Sequence, residues 1–185
     1  MTEPHLPPYT RMEYERKFLV DPASDWKSFS KPYARRILDR YFACGRLRLR
    51  IMTNLDDGRV VHKLTKKFES PSLRHQPVVN IYLSPAECQG LLGLDGHDLS
   101  KVRHYHEYDG RVFSIDVFDD PLTGLILCET EAASSEELSA LHFPAYATTE
   151  VTDDAFFTGG NLARASRADL LAHANSHQLV IPNPL

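Results

Sequence analysis

The feature that most constrains this chain is a two-residue periodicity that recurs along most of its length. The dominant pattern is alternation of apolar with polar side chains, the period of a strand with two unlike faces, and segments 12–20, 35–42, 46–53, 59–68, 76–83, 101–108, 111–118 and 125–132 all read as strands. Between them stand turn signals, Asp56-Asp57-Gly58 and Asp109-Gly110; the second, flanked by alternating runs, is the stronger hairpin signature. Helical signals are few. Ser84-Pro85-Ala86-Glu87 places an N-cap before a proline at the first helical position, opening a short helix to about Leu92. Ser134 with Glu137 makes a capping box for another. Residues 161–176 read as a longer terminal helix, and one more is expected around Asp25 and Trp26, with Trp26 docked on the sheet. The expected class is α+β, dominated by antiparallel strands.

A length of 185 residues suits one domain with a substantial core. The expected division is a loose arm over 1–10, a single domain over 11–177 and a loose tail over 178–185, both ends being rich in proline. Lysine and arginine number 21 against 25 acids, a formal net charge of −4, which speaks against nucleic-acid binding driven by bulk charge. No apolar run reaches the length of a membrane span, and MTEPHLPPYT lacks the parts of a signal peptide. Cys44, Cys88 and Cys128 form no CxxC pair, so a reduced, cytoplasmic setting is the economical reading, with Cys128 a small buried hydrophobe.

What fills the polar phase is unusual. Glu13, Glu15 and Lys17 share one face of their strand; Arg46, Arg48 and Arg50 share another, as do Lys63 and Lys67, Lys101 and Arg103, and Glu129 and Glu131, while Asp116 projects between Ile115 and Val117. Solvated faces usually mix signs and neutral polar residues. Three arginines at every second position repel one another unless an anion lies over them, and adjacent glutamates are relieved by a cation. The pattern therefore points to a charged lumen built for a divalent metal and a polyanion. Hard ions such as Mg²⁺ or Mn²⁺ take carboxylate oxygens and bridge to phosphates. Arginine forks match phosphate oxygens, and phosphoryl transfer needs chiefly positioning and charge neutralisation.

Met12 to Val20, MEYERKFLV, resembles the N-terminal ExExK strand of the CYTH family, the triphosphate tunnel metalloenzymes, whose typical form EIERKFLV differs here at Tyr14. Arg48-Leu49-Arg50 resembles the family's RxR strand, Lys63 its following lysine, Lys101-Val102-Arg103 its KxR strand, Ile115-Asp116-Val117-Phe118 its aspartate strand, and Gly124 to Glu131 its GLxxxExE strand. Glu150-Val151-Thr152 and Asn161-Leu162 resemble the closing EVT and NL segments. The match runs in order from about residue 12 to 163.

The resemblance implies a closed eight-stranded antiparallel barrel with a few helices outside it. Its lumen would bind a triphosphate-containing small molecule and one or two Mg²⁺ or Mn²⁺ ions. It makes Glu13, Glu15, Asp116, Glu129 and Glu131 metal-side acids. Lys17, Arg46, Arg48, Arg50, Lys63, Arg74, Lys101 and Arg103 become phosphate ligands, with Glu15 and Lys17 catalytic and Lys17 helping to activate water. Those eight bases and five acids give the lumen a charge of +3, leaving −7 for the rest of the chain. The implied activity is hydrolysis of inorganic tripolyphosphate or a small organic triphosphate by a monomer or homodimer, with no nucleic-acid or membrane partner. A class IV-type adenylate cyclase is one alternative.

One strand departs from the family. After Arg74, where alternating glutamates are usual, Gln76, Val78 and Asn80 stand instead. A non-catalytic triphosphate or polyphosphate binder is therefore a further alternative. His104 and His106 share a face opposite Lys101 and Arg103, hence outside the lumen. Gly159-Gly160 lacks the lysine and serine or threonine of a P-loop.

Overall fold

A computed structural model describes residues 6–181. Among the described residues are nine strands: β1 (Arg11–Val20), β2 (Arg35–Phe42), β3 (Leu47–Asn54), β4 (Val60–Lys67), β5 (His75–Leu83), β6 (Gly96–Tyr108), β7 (Arg111–Phe118), β8 (Ile126–Ala132) and β9 (Ala147–Glu150). They pair antiparallel in the order β5-β4-β3-β2-β6-β7-β8-β1, and β1 also pairs with β5, which closes the ring at eight strands. The ninth strand is extra. Residues 11–14 of β1 pair with β5, and residues 18–20 of the same strand pair with β9, with a register shift between Leu19 and Val20. Closure leaves no long unpaired edge in the ring.

Local chemistry explains the joints. Asp109 and Gly110 have φ of +50° and +71°, the left-handed pair that a two-residue hairpin requires. The described residues include four helices, α1 (Pro85–Leu92), α2 (Ser135–Ser139), α3 (Gly159–Leu162) and α4 (Arg167–Ser176), of which α1, α2 and α4 open on a serine cap. Ser84 and Glu87 satisfy each other's backbone N–H groups at the start of α1, an arrangement worth about 1 kcal/mol. At α2 only half of the expected box forms. Ser134 accepts from Glu137, whose carboxylate accepts instead from the N–H of Ala133 and from Arg111. The expected terminal helix over 161–176 is two helices, because Ser166 caps α4 and forms a box with Asp169. Trp26 lies in a 3₁₀ turn (Trp26–Phe29), buried on the sheet with its ring edge toward His104.

Two apolar clusters lie outside the barrel. Phe42 and Leu49 pack beneath Cys88 of the helix over 85–92. Phe18, Val20, Trp26, Phe113, Ile115, Cys128 and Tyr146 form the other. A third cluster closes one end of the lumen. Leu19, Leu99, Phe118 and Leu127 continue the same strand faces as Lys17, Lys101, Asp116 and Glu129, and meet Val151, Phe157, Leu162 and Leu170 from the C-terminal segment. Leu179 and Ile181 pack against it as well. Each inward face therefore changes from charged to apolar along its length, and the chain after β9 seals the apolar end. No helix of the described residues is long and apolar enough to cross a membrane.

Candidate functional site

A cavity of about 730 Å³ occupies the barrel. It is bordered by Glu13, Glu15 and Lys17 of β1, Arg48 and Arg50 of β3, Lys63 and Lys67 of β4, Lys101 and Arg103 of β6, Glu129 and Glu131 of β8, and Arg46 just ahead of β3. Eleven basic and five acidic side chains border it in all. A second cavity of about 430 Å³, on the β7 side, shares Glu15, Arg103, Glu129 and Glu131 with it.

Two expected members are placed elsewhere. Arg74 does not border the cavity: it precedes β5 and binds Asp153 at 2.6 Å and Glu150 at 2.9 Å. The strand period does not extend to it, so the phase of β5 could not aim it inward. The hydrogen bond from Arg16, opposed by partial burial and aided by Arg74, brings the Glu150 carboxyl down to about 2. Asp116 faces inward but is fully buried behind the cavity wall, accepting from Lys101 and, at 2.6 and 2.7 Å, from the fork of Arg103. Burial opposes its charge, and those two cations hold it ionised below the usual carboxylate range. With its oxygens so engaged, Asp116 positions cations.

Asp39 was missed by sequence reasoning and is the counterpart of Asp116. It is buried, accepts both arms of the Arg50 fork at 2.6 and 2.7 Å, and lies 3.7 Å from Arg48 Nε. Burial would raise its pKa, but Arg50 and Arg48 hold it far below normal. The missed signal lies in β2, where Arg35, Asp39 and Tyr41 take the inward phase around a buried Ile37. Lys67 was also missed as a site residue; it bridges Glu13 at 2.9 Å and Glu15 at 3.5 Å.

Lys17 donates to Glu129 at 3.2 Å and to the carbonyl of Phe157 at 3.3 Å. Burial opposes its charge, yet Glu129 and Glu15 raise its pKa further above the ordinary lysine value, so it is a fixed ammonium rather than a proton acceptor. Arg103 also reaches Glu129, at 3.1 Å. Lys63 is in the opposite situation. Among the described residues it has no ion pair, and burial followed by the neighbouring Arg48 and Arg50 lowers it to about 8. Arg46 likewise has no ion pair among them, and Arg48 Nε is buried without a hydrogen-bond partner. Glu131 is exposed, and burial of part of its carboxyl together with Glu13 raises its pKa.

The divergent strand is neutral in the structure too. Gln76 borders the cavity, Val78 is fully buried, and Asn80 accepts from Thr65 at 2.7 Å, which in turn accepts from Arg48 at 3.1 Å. Gly159 serves packing: a Cβ there would fall 1.8 Å from the Tyr41 hydroxyl. His104 and His106 lie outside the lumen, against Trp26 and Tyr146.

No family model and no curated protein matches the chain. Solved structures do. A structure of the hypothetical protein NE1496 is 27% identical, with a TM-score of 0.55 over 83% of this chain and 99% of its own. A second, described as the inorganic triphosphatase NE1496, is 25% identical, with a TM-score of 0.54 over 83% and 95%. The PH1819 protein from Pyrococcus horikoshii OT3, at 17% identity and a TM-score of 0.50, shares the fold over 69% of this chain and 82% of its own. With its strand motifs in order and its eight-stranded ring closed, the chain has the fold of a CYTH domain, the barrel of the triphosphate tunnel metalloenzymes.

Proposed function

We propose that the protein hydrolyses inorganic tripolyphosphate or a small organic triphosphate, bound in a basic tunnel within a reduced, cytoplasmic setting. The observation that carries this reading is a set of cations bordering one cavity with Glu13, Glu15 and Glu131: Lys63 and Arg46, which have no ion pair among the described residues, and Arg48, whose buried Nε makes no hydrogen bond and lies 3.7 Å from Asp39. Its likeness to an inorganic triphosphatase supports the substrate class, and three free cysteines fit the setting.

Arg46, Arg48 and Lys63 take the phosphate oxygens, replacing mutual repulsion with charge-assisted hydrogen bonds. Arg50, Lys101 and Arg103 keep their positive charge within reach while Asp39 and Asp116 fix their direction. Lys17, held protonated, stabilises developing negative charge, and Glu15 is the candidate for orienting the attacking water. The all-oxygen donor set, and the partial burial and neighbouring Glu13 that raise the Glu131 carboxyl, fit a hard divalent cation. Glu13, Glu15 and Glu131 would hold Mg²⁺ or Mn²⁺, whose contribution when bound is to neutralise and polarise phosphoryl oxygens.

Phosphate release from tripolyphosphate, ATP and thiamine triphosphate, each with Mg²⁺ and with Mn²⁺, tests the reading. Turnover of at least one substrate is expected, with Glu15→Gln lowering it about 100-fold, near 2.7 kcal/mol of barrier. No release from any substrate with either metal would overturn it. The neutral trio Gln76, Val78 and Asn80 favours one second reading, a binding protein without turnover. Tight metal-dependent binding of tripolyphosphate with no release of phosphate would establish that reading instead.

A further inference from the structure

In the segment that seals the apolar end of the barrel, three ligating side chains converge that have no part in the triphosphate reading. Asp154 heads the 3₁₀ turn Ala155–Phe157, His173 lies in the last turn of α4, and His177 follows the helix directly. One potential ligand atom from each lies within 4.8 Å of the others, and no other group of three His, Cys, Asp or Glu does so among the described residues.

Each side chain is already oriented. Asp154 uses Oδ1 to accept from the N–H of Phe156, which leaves Oδ2 toward His173 Nε2 at 2.7 Å. The His173 ring is stacked on Phe156 and on His177, with centroids 4.1 Å away in both cases. His177 Nδ1 lies 3.0 Å from the carbonyl oxygen of His173. A carbonyl can only accept, and Ser176 Oγ, 2.9 Å from Nδ1, donates its own proton to that same carbonyl at 2.8 Å, so Nδ1 carries the proton and Nε2 presents its lone pair. That is how a metal-bound histidine is commonly held, its second nitrogen donating to a backbone carbonyl.

The geometry points to a site for a borderline divalent cation, Zn²⁺ or Ni²⁺, held by Asp154 Oδ2, His173 Nε2 and His177 Nε2, with water completing the shell. Two imidazoles and one carboxylate suit these ions, whereas Mg²⁺ prefers an all-oxygen set. The ion takes the place of the proton that His173 shares with Asp154. Small rotations bring the ligands to roughly 3.3 Å from one another, the edge of a tetrahedron with bonds of about 2.0–2.1 Å. His177 is exposed and admits the ion from solvent. The bound ion would clamp α4 to the turn that carries Phe157. Asp154 also borders the main cavity, so the clamp touches its wall.

Calorimetric titration of tag-free, chelator-stripped protein with Zn²⁺ tests the site, alongside Co²⁺ absorption and a Mg²⁺ control. The expected result is one Zn²⁺ per chain, d–d bands of four-coordinate Co²⁺, no response to Mg²⁺ at this site, and a melting midpoint several degrees higher in excess Zn²⁺. His177→Ala, which leaves the packed His173 in place, should weaken Zn²⁺ binding at least 30-fold and abolish the shift, and Asp154→Asn should do the same. His142→Ala, at an exposed histidine paired with Asp109, should change neither. Absence of stoichiometric Zn²⁺ binding, or equal binding by His177→Ala, would overturn the site. Neither result bears on triphosphate hydrolysis, which draws on the other acids.

Discussion

On β6, β7 and β8 the inward cations are matched by carboxylates: Lys101 and Arg103 share Asp116, while Arg103 and Lys17 share Glu129. On β3 and β4, beyond Lys67 with its two glutamates and Arg50 locked to Asp39, the matching thins out. Arg46 and Lys63 have no ion pair among the described residues, and Arg48 comes no closer than 3.7 Å to a carboxylate. Both walls carry cations, but only one matches them with carboxylates throughout. Charges that are paired and buried brace the barrel, and charges left without a close partner are the ones the proposed function assigns to phosphate.

The largest effect is expected where pairing is complete. Asp116→Ala leaves Lys101 and Arg103 with a fully buried neighbour gone and should cost about 3–5 kcal/mol in denaturant unfolding. A loss below about 1 kcal/mol would show that the matched wall is not structural. Removing charge from the unmatched wall should act the other way. Lys63→Met should weaken tripolyphosphate binding about tenfold, near 1.4 kcal/mol, while leaving stability unchanged or slightly higher. Equal losses of binding and stability would erase the distinction between the walls.

The same lysine gives the comparison a pH signature. Its folded value of about 8 lies below the ordinary lysine value of 10.5. The unfolded chain therefore binds more protons between those limits, and this group's contribution to stability rises with pH across that window. Its ability to hold phosphate falls over the same window as the ammonium is lost. Wild type minus Lys63→Met should thus show opposite slopes for stability and for tripolyphosphate affinity above pH 8, by denaturant titration and calorimetry. Parallel slopes would refute the assignment. The smallest effect belongs to Glu131→Gln. Its carboxyl is raised, so the penalty is absent at low pH and grows as pH rises through the folded value. The variant should gain no more than about 0.5 kcal/mol at neutral pH without metal, and lose affinity for Mg²⁺.

Much of this was legible because a strand has only two faces. The alternation around Glu13 to Lys17, Arg48 to Arg50 and Lys101 to Arg103 assigned those side chains to one surface, and the asymmetry of sign distinguished that surface from a wet exterior. Strand β2 defeated the same logic. Both of its phases carry arginine, and Arg36 and Arg40 turn outward to Asp119 and Asp98; only the register that sets Asp39 opposite Arg50 tells the phases apart. The first half of β6 was hidden by Gly96 and Asp98, poor strand formers, and extends because β2 supplies a partner as far as Phe42. The split between α3 and α4 was written in Ser166 and Asp169, a box lying inside an otherwise helical run.

The three-way pairing of β1 carries a kinetic consequence. Arg16 finds Glu150 across 134 positions of sequence, and residues 18–20 are not fully paired until β8 and β9 exist. During synthesis the first strand made is thus the last one satisfied, and an apolar segment, Phe18 to Val20, waits exposed until nearly the whole domain has left the ribosome. Such non-local closure makes for slow folding and a long interval of vulnerability to aggregation. Any truncation that removes β9 while sparing the charged lumen should therefore impair the yield of folded barrel before it touches the chemistry.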